Sequence, residues 1–515
     1  MKKFISILLS LVLLLGTVSV SASAVTFVLK PGSKYPTIYV PGRNEGVLVD
    51  DVDSENPTNI RAEININVSQ FASALIPELS QAVVTDDWDD YCDTLEGLVA
   101  PMFEDVVLDE NGNKKDNSGV IFRYDNLRNT TQTDYTYRID TYRFEYDWRI
   151  DPYENAAILD AYIKAVMAVT GAEKVNILGR CEGANIVLPY LEQYGDSAKI
   201  NSILFAWPSV YGLMGITSFF TGDISVDMDA FSASLATDAS VSNTASGIVS
   251  ILNMSGILDG GEKAFDMIYS KVKQPLMPAL VLDTFGTMPS MWSMVSPDRY
   301  EEAKAFVFSG KEQQYAGLIE KIDNYHNKVG LHIADILKEY TDAGVNFSCV
   351  AKYGYVASSL CPSYSFDQTD GMATVKDASM GATSAKFGQT LSESYLASHD
   401  AKYISSDKII DAGTCLYPDS TWFVKNLVHS TMPGVLENFC ATLIAKETQP
   451  TVSDTERYPQ FMVYDGRDSS LVPLNDVSDI DTSDAINSPT GIVGFFARIK
   501  AFFESIFARI KALFH

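Results

Sequence analysis

Positive charge is scarce in this chain of 515 residues: 39 lysines and arginines stand against 66 aspartates and glutamates, a formal net charge of −27. That balance repels phosphate backbones and disfavours nucleic acid as a partner. Histidine is scarcer still, with five in all, so any chemistry that needs an imidazole has few places to reside. The six cysteines, Cys92, Cys181, Cys349, Cys361, Cys415 and Cys440, contain no C-x-x-C pair. This argues against a zinc ribbon or a thioredoxin-type redox site. If Cys181 stays reduced, the other five cannot all pair with one another. Beyond the first 24 residues no run of 18 apolar residues occurs, so no membrane-spanning helix is expected.

The N-terminus reads as an export signal. Lys2 and Lys3 precede an apolar run over residues 4–15, and Ala22-Ser23-Ala24 supplies small residues for cleavage. The expectation is a signal peptide over 1–24 and a secreted or extracellular mature protein. With no cysteine at the cleavage site, a lipoprotein anchor is not expected.

Apolar runs over 35–40, 175–180, 200–206 and 345–353 alternate with stretches of helical spacing, notably 156–170 and 186–193. Strands alternating with helices predict parallel βαβ units and an α/β fold with a doubly wound, mostly parallel sheet. Residues 135–146 interleave aromatic and polar side chains as a strand would. Residues 207–342 lack strong strand patterns and read as a mobile, largely helical insertion. The main domain is expected over 25–446, ending in a helix at 435–446. Residues 447–490, rich in Asp, Ser, Thr and Pro, read as an acidic linker, within which the runs 461–464 and 471–474 are candidates to dock on the domain. Residues 491–515 hold an eleven-residue near-repeat with apolar residues on one helical face and Arg498, Lys500, Arg509 and Lys511 elsewhere. Such a helix suits either a membrane surface or a protein face.

The chemistry centres on Val-Asn-Ile-Leu-Gly179-Arg180-Cys181-Glu182-Gly183, where a strand runs through Gly-x-Cys-x-Gly straight into a helix. Two glycines permit a turn tight enough to thrust the central residue outward as a nucleophile. Its partners are expected later in the chain, acid before histidine. His429, in a loop just ahead of a helix, is the preferred base over His326, His332, His399 and the terminal His515. Asp370, in a Thr-Asp-Gly turn after the 345–353 strand, is the preferred acid. Asp411 is the nearest alternative acid and Asp283 a third. An oxyanion hole would use the backbone N–H of Glu182 and one from the Pro41-Gly42-Arg43 turn. Arg180 would favour a thiolate at Cys181 and Glu182 would oppose it. Asp147-Trp148-Arg149 reads as a structural ion pair beside a packed indole.

These segments, Tyr-Val-Pro-Gly, Tyr146-Asp-Trp-Arg149, the Gly-Arg-Cys-Glu-Gly corner and Thr-Asp370-Gly-Met-Ala-Thr-Val, resemble the lecithin–cholesterol acyltransferase branch of the α/β-hydrolases, with cysteine in place of the family's serine. The resemblance implies an α/β-hydrolase fold in which 207–342 forms a helical cap. It implies ester hydrolysis or acyl transfer on a lipid-like substrate through Cys181, His429 and Asp370, with no metal or organic cofactor. Dienelactone hydrolase shows that a cysteine can serve at such a corner. The competing expectation is a scaffold that binds a lipid or glycan without turnover.

Overall fold

The computed structural model describes residues 33–43, 47–60, 68–121, 127, 142–230, 233, 257–454 and 456–476. The expected signal peptide (1–24) and C-terminal helix (491–515) lie outside the described residues, as does most of the expected strand 135–146.

An eight-stranded sheet forms the centre. Its strands are β1 (Thr37–Val40), β2 (Tyr142–Arg143), β3 (Val175–Arg180), β4 (Ile200–Ala206), β5 (Asn346–Tyr353), β6 (Thr421–Lys425), β7 (Phe461–Asp465) and β8 (Ser470–Pro473). They lie in the order β2-β1-β3-β4-β5-β6-β7-β8. Every pairing is parallel except β7 with β8. The chain steps from β1 outward to β2, then returns to the other side of β1 with β3. The crevice beyond the carboxyl ends of β1 and β3 is therefore the topological switch point, where α/β sheets hold their ligands.

Side chains on the strands alternate between two apolar layers, because successive residues of a strand face opposite ways. Between β1 and β2 the chain forms the helices α1 (Val68–Thr85) and α2 (Asp89–Val99). Ile177, Ile203, Phe205, Cys349, Ala351 and Phe423 join one layer, which packs on α3 (Pro152–Thr170) and α4 (Glu182–Gln193). Leu178, Leu204, Val350, Trp422 and Val424 join the other, beneath a helix at Gly434–Ile444. The strands read as near-continuous apolar runs because both faces are covered. The start of α3 follows from local chemistry. Asp151 caps it by accepting from the Tyr153 N–H, and Pro152 sits at its first turn. Gly171, at φ 68°, ends it in a left-handed turn.

The described part of 207–342 is helical, with α5 (Met214–Thr221), α6 (Ile257–Val281), α7 (Tyr300–Val307), α8 (Ala316–Tyr325) and α9 (Ile333–Asp342). Within 447–490 the described residues include two strands, at the two apolar runs that were candidates to dock on the domain. The chain runs on into β7 and β8, and the sheet is complete only at Pro473. The polar composition of that stretch averages over two short apolar runs. Met462, Tyr464 and Leu471 are buried against the sheet's second layer, and Phe461 stacks on Phe423 with ring centroids 5.4 Å apart.

Two glycines mark opposite ends of tolerance. A Cβ on Gly183 would lie 2.1 Å from the Val40 carbonyl oxygen, whereas one on Gly97, in the helix Asp89–Val99, meets nothing within 4 Å. Gly183→Ala should destabilise by at least about 3 kcal/mol, and Gly97→Ala should stabilise by about 0.5–1 kcal/mol. Urea unfolding of the two variants checks both.

Candidate active site

Cys181 stands between β3 and α4 at φ 49° and ψ −122°. A non-glycine residue holds such a backbone only when its surroundings over-determine it, at a cost of about 1–3 kcal/mol. Here they do. The Cys181 N–H donates to the Ala206 carbonyl at 3.1 Å, and its own carbonyl accepts from Ala184 at 3.1 Å and Ser209 at 3.4 Å. The flanking glycines are required by space: a Cβ on Gly179 would come within 2.9 Å of the Ala184 Cα, and Gly183 lies against the Val40 and Pro41 carbonyls. The same tight packing brings the Pro41-Gly42-Arg43 turn to the cysteine. A Cβ on Gly42 would be 3.2 Å from the Cys181 Cβ and 3.9 Å from its Sγ. Glu182 is the first residue of α4, so its backbone N–H has no partner within the helix.

Asp370 and His429 are brought together. The His429 Nδ1 lies 2.7 Å from the Asp370 Oδ2, and the His429 backbone N–H donates to the Asp370 carbonyl at 2.8 Å. The other carboxylate oxygen of Asp370 accepts the N–H groups of Met372 (3.0 Å) and Ala373 (2.8 Å). Those bonds fix the tautomer and pose of the ring. Nε2 of His429 is buried and makes no hydrogen bond of regular geometry. Cys181 nonetheless lies close enough to the imidazole to favour its protonated form. Burial works against a charged ring, but the Asp370 carboxylate and then Cys181 outweigh it and raise the His429 pKa to about 9. Burial likewise works against the Asp370 carboxylate, and His429 more than reverses it, so its pKa is lowered.

Two buried cations hold the histidine loop. The Lys352 ammonium, from β5, donates to the carbonyls of Val428 (3.2 Å), His429 (3.1 Å) and Thr431 (2.5 Å). Arg180, the residue before Cys181, donates to the Ser430 carbonyl at 3.1 Å and to the Tyr39 hydroxyl at 3.4 Å. Between them lies Trp207, its ring 3.3 Å from the Lys352 Nζ and 5.4 Å from the Arg180 guanidinium. Burial, then Arg180, push the Lys352 pKa well below the ordinary range. Three carbonyl acceptors favour the ammonium, because a neutral amine has only two N–H groups to give.

Glu182 turns away from the sulfur. It is fully buried, accepts from the Ser290 hydroxyl, and has its pKa raised to about 7 chiefly by burial. Its opposition to a thiolate at Cys181 is correspondingly weak near neutral pH. Sequence reasoning did not find Lys352, Trp207 or Ser290. The one available signal was a lysine inside the apolar strand Asn346–Tyr353, since lysine is almost never fully buried without a partner.

The competing residues sit elsewhere. Asp411 caps a short turn, accepting from Gly413 N–H (2.8 Å) and the Tyr395 hydroxyl (2.9 Å), in a minor two-stranded ladder outside the main sheet. Asp283 lies beside Glu96. His326 stacks on Tyr300 at 3.9 Å, His332 contacts Asp335, and His399 stacks on Tyr395 at 3.7 Å. Asp147 and Arg149 form a buried, bidentate ion pair at 2.8–2.9 Å. All six cysteines are free and buried. Among the described residues, no cluster of three or more His, Cys, Asp or Glu side chains is arranged to hold a metal ion, and no helix is long and apolar enough to cross a membrane.

Chemically, the arrangement offers a thiol at a helix N-terminus, an imidazole oriented by a carboxylate, and backbone N–H groups beside the sulfur. Comparison with protein-family models gives no match, and comparison with curated proteins gives none. The reading of the site therefore rests on its chemistry.

The folded pKa of His429, about 9, exceeds the ordinary 6.5. The fold thus favours the protonated ring. The resulting stability, up to about 3 kcal/mol, is fully present below about pH 6.5 and is lost as pH rises through 9. Unfolding free energies measured from pH 6 to 10 should show this decline, and Asp370→Asn should flatten it.

Proposed function

We propose that this chain is a cysteine hydrolase or acyltransferase of the α/β-hydrolase type, acting on carboxylic, lipid-like esters through Cys181, His429 and Asp370. The observation that carries the reading is the Asp370–His429 pair (2.7 Å), whose free Nε2 is buried within reach of Cys181. The likeness of the surrounding motifs to the lecithin–cholesterol acyltransferase branch supports the choice of ester chemistry and of 207–342 as a cap. The export signal supports a secreted setting, and the basic amphipathic stretch 491–515 supports contact with a membrane surface.

The raised pKa of His429 keeps its ring protonated near neutral pH, and the reacting form of Cys181 is the thiolate. The α4 N-terminus and the cations Arg180 and Lys352 favour the negative sulfur. The thiolate attacks the ester carbonyl, forming an S–C bond while the carbonyl electrons move to oxygen. The backbone N–H of Glu182, with one from the Gly42–Arg43 turn, stabilises that oxyanion. As the C–O bond breaks, His429 Nε2 gives its proton to the departing alkoxide, leaving a thioester and a neutral imidazole. Water or an alcohol then loses its proton to His429 and attacks the thioester. The thiolate leaves, and the imidazolium–thiolate pair is restored. Asp370 holds the ring throughout and keeps its charge.

The runner-up, a scaffold that binds a lipid or glycan without turnover, draws on the burial of Cys181, which is 8% exposed.

Cys181→Ala should reduce turnover of short- and long-chain p-nitrophenyl esters at least about 10³-fold. Denaturing mass spectrometry should find a thioester adduct on Cys181 of the wild type. Full activity in Cys181→Ala would refute the proposal. The kcat/KM of the wild type should fall as pH rises through about 9, where His429 loses the proton that the leaving group needs.

A further inference from the structure

Of the basic residues Arg43, Arg149, Arg180 and Lys352, three have oxygen acceptors. Arg149 is paired with Asp147 and Ser118. Arg180 and Lys352 take the carbonyls of the histidine loop. Arg43 differs. Among the described residues its guanidinium reaches only a thioether, the Met291 sulfur at 3.0 Å, and its buried Nε makes no hydrogen bond at all. Its flat faces are covered by Trp148 at 4.5 Å and Phe285 at 4.8 Å. Sulfur is a weak acceptor, and ring faces return only part of what a guanidinium loses on leaving water.

The neighbouring acid offsets this cation only in part, through space: each favours the charged form of the other. Glu182 forms no ion pair with Arg43 and is instead engaged by Ser290; its second carboxylate oxygen is also unpartnered. With its pKa near 7, Glu182 carries only part of a charge at neutral pH, while Arg43, lowered to about 10 by burial, remains a cation. Arg43 also follows directly on Gly42, the residue that abuts the Cys181 side chain. Trp148 and the helical residues Phe285 and Met291 complete its surroundings.

We propose that Arg43 is the anion-binding element of a subsite beside Cys181, and that it selects substrates carrying a carboxylate or phosphate close to the reacting carbonyl. A planar guanidinium offering unused N–H groups suits a two-oxygen anion, and the aromatic faces hold it edge-on for that contact. This inference rests on the reading of Cys181 as an accessible nucleophile, and it narrows the ester class proposed above to anionic esters.

Alkylation of Cys181 tests the subsite without requiring turnover. The full chain is treated with iodoacetate (anionic) or iodoacetamide (neutral), and modification of the Cys181 peptide is timed by mass spectrometry. The ratio of the two rates cancels differences in thiol reactivity. The wild-type ratio should exceed that of Arg43→Gln about tenfold, a modest effect for one close charge pair, with Arg43→Lys in between. Equal ratios in the three proteins would overturn the subsite. Reaction of wild-type Cys181 with neither reagent would count against the nucleophile instead, and melting temperature then decides the subsite alone. Succinate or inorganic phosphate should raise the melting temperature of the wild type more than that of Arg43→Gln. A larger rise with succinate indicates a carboxylate ligand, and a larger rise with phosphate indicates a phosphate. No difference between the proteins overturns the site.

Discussion

The close approach of Gly183 to the carbonyls of Val40 and Pro41 governs the geometry around Cys181, because no side chain fits between α4 and the end of β1. With that gap closed, α4 starts directly against the neighbouring strand, and the chain can turn from β3 into α4 only through a left-handed residue. That residue is Cys181, and its strain is held by backbone bonds to Ala206, Ala184 and Ser209. The Pro41-Gly42-Arg43 turn is carried to the sulfur by the same contact. One steric constraint thus positions the thiol, the backbone donors beside it and the Arg43 guanidinium.

The histidine arrives by a different route. β6 delivers residues 426–433 to the same end of the sheet, yet a loop of that length has many shapes open to it. Lys352 and Arg180 remove most of them by binding four successive carbonyls, Val428 to Thr431. Since Arg180 precedes Cys181 and Lys352 lies on the strand ahead of Asp370, each clamp starts from the element that carries one of the histidine's partners. The result is a loop fixed in place by two basic side chains that reach it from neighbouring strands.

What the sequence reveals and what it hides follow from the range of the forces involved. The strand 200–206, the capped helix after Asp151 and the Gly-x-Cys-x-Gly corner are written in local patterns, so they could be read along the chain. The Asp370–His429 pair was legible through its order and its turn residues, although 59 positions separate the two. β7 and β8 were legible only as two short apolar runs, because each is set in polar sequence and only its place at the edge of the sheet buries it. Lys352, Trp207 and Ser290 were hidden for another reason. Their roles depend on partners supplied by the tertiary fold: the link from Ser290 to Glu182 spans 108 positions, and that from Arg43 to Met291 spans 248.

The cysteines bear on how this molecule ages. Six buried thiols lie in a fold that joins none of them to another. While the chain is folded, burial shields the five away from the active-site corner from oxidants, and keeps all six from one another. Opening the structure in an oxidising medium changes the terms, because thiolates exposed together exchange and pair. Every intramolecular disulfide formed in that way is foreign to the native arrangement and must break before the chain can close again. Damage is therefore cumulative: each excursion to the open state can retire a molecule, and the working life of the protein is set by how often it opens rather than by how stable it is on average.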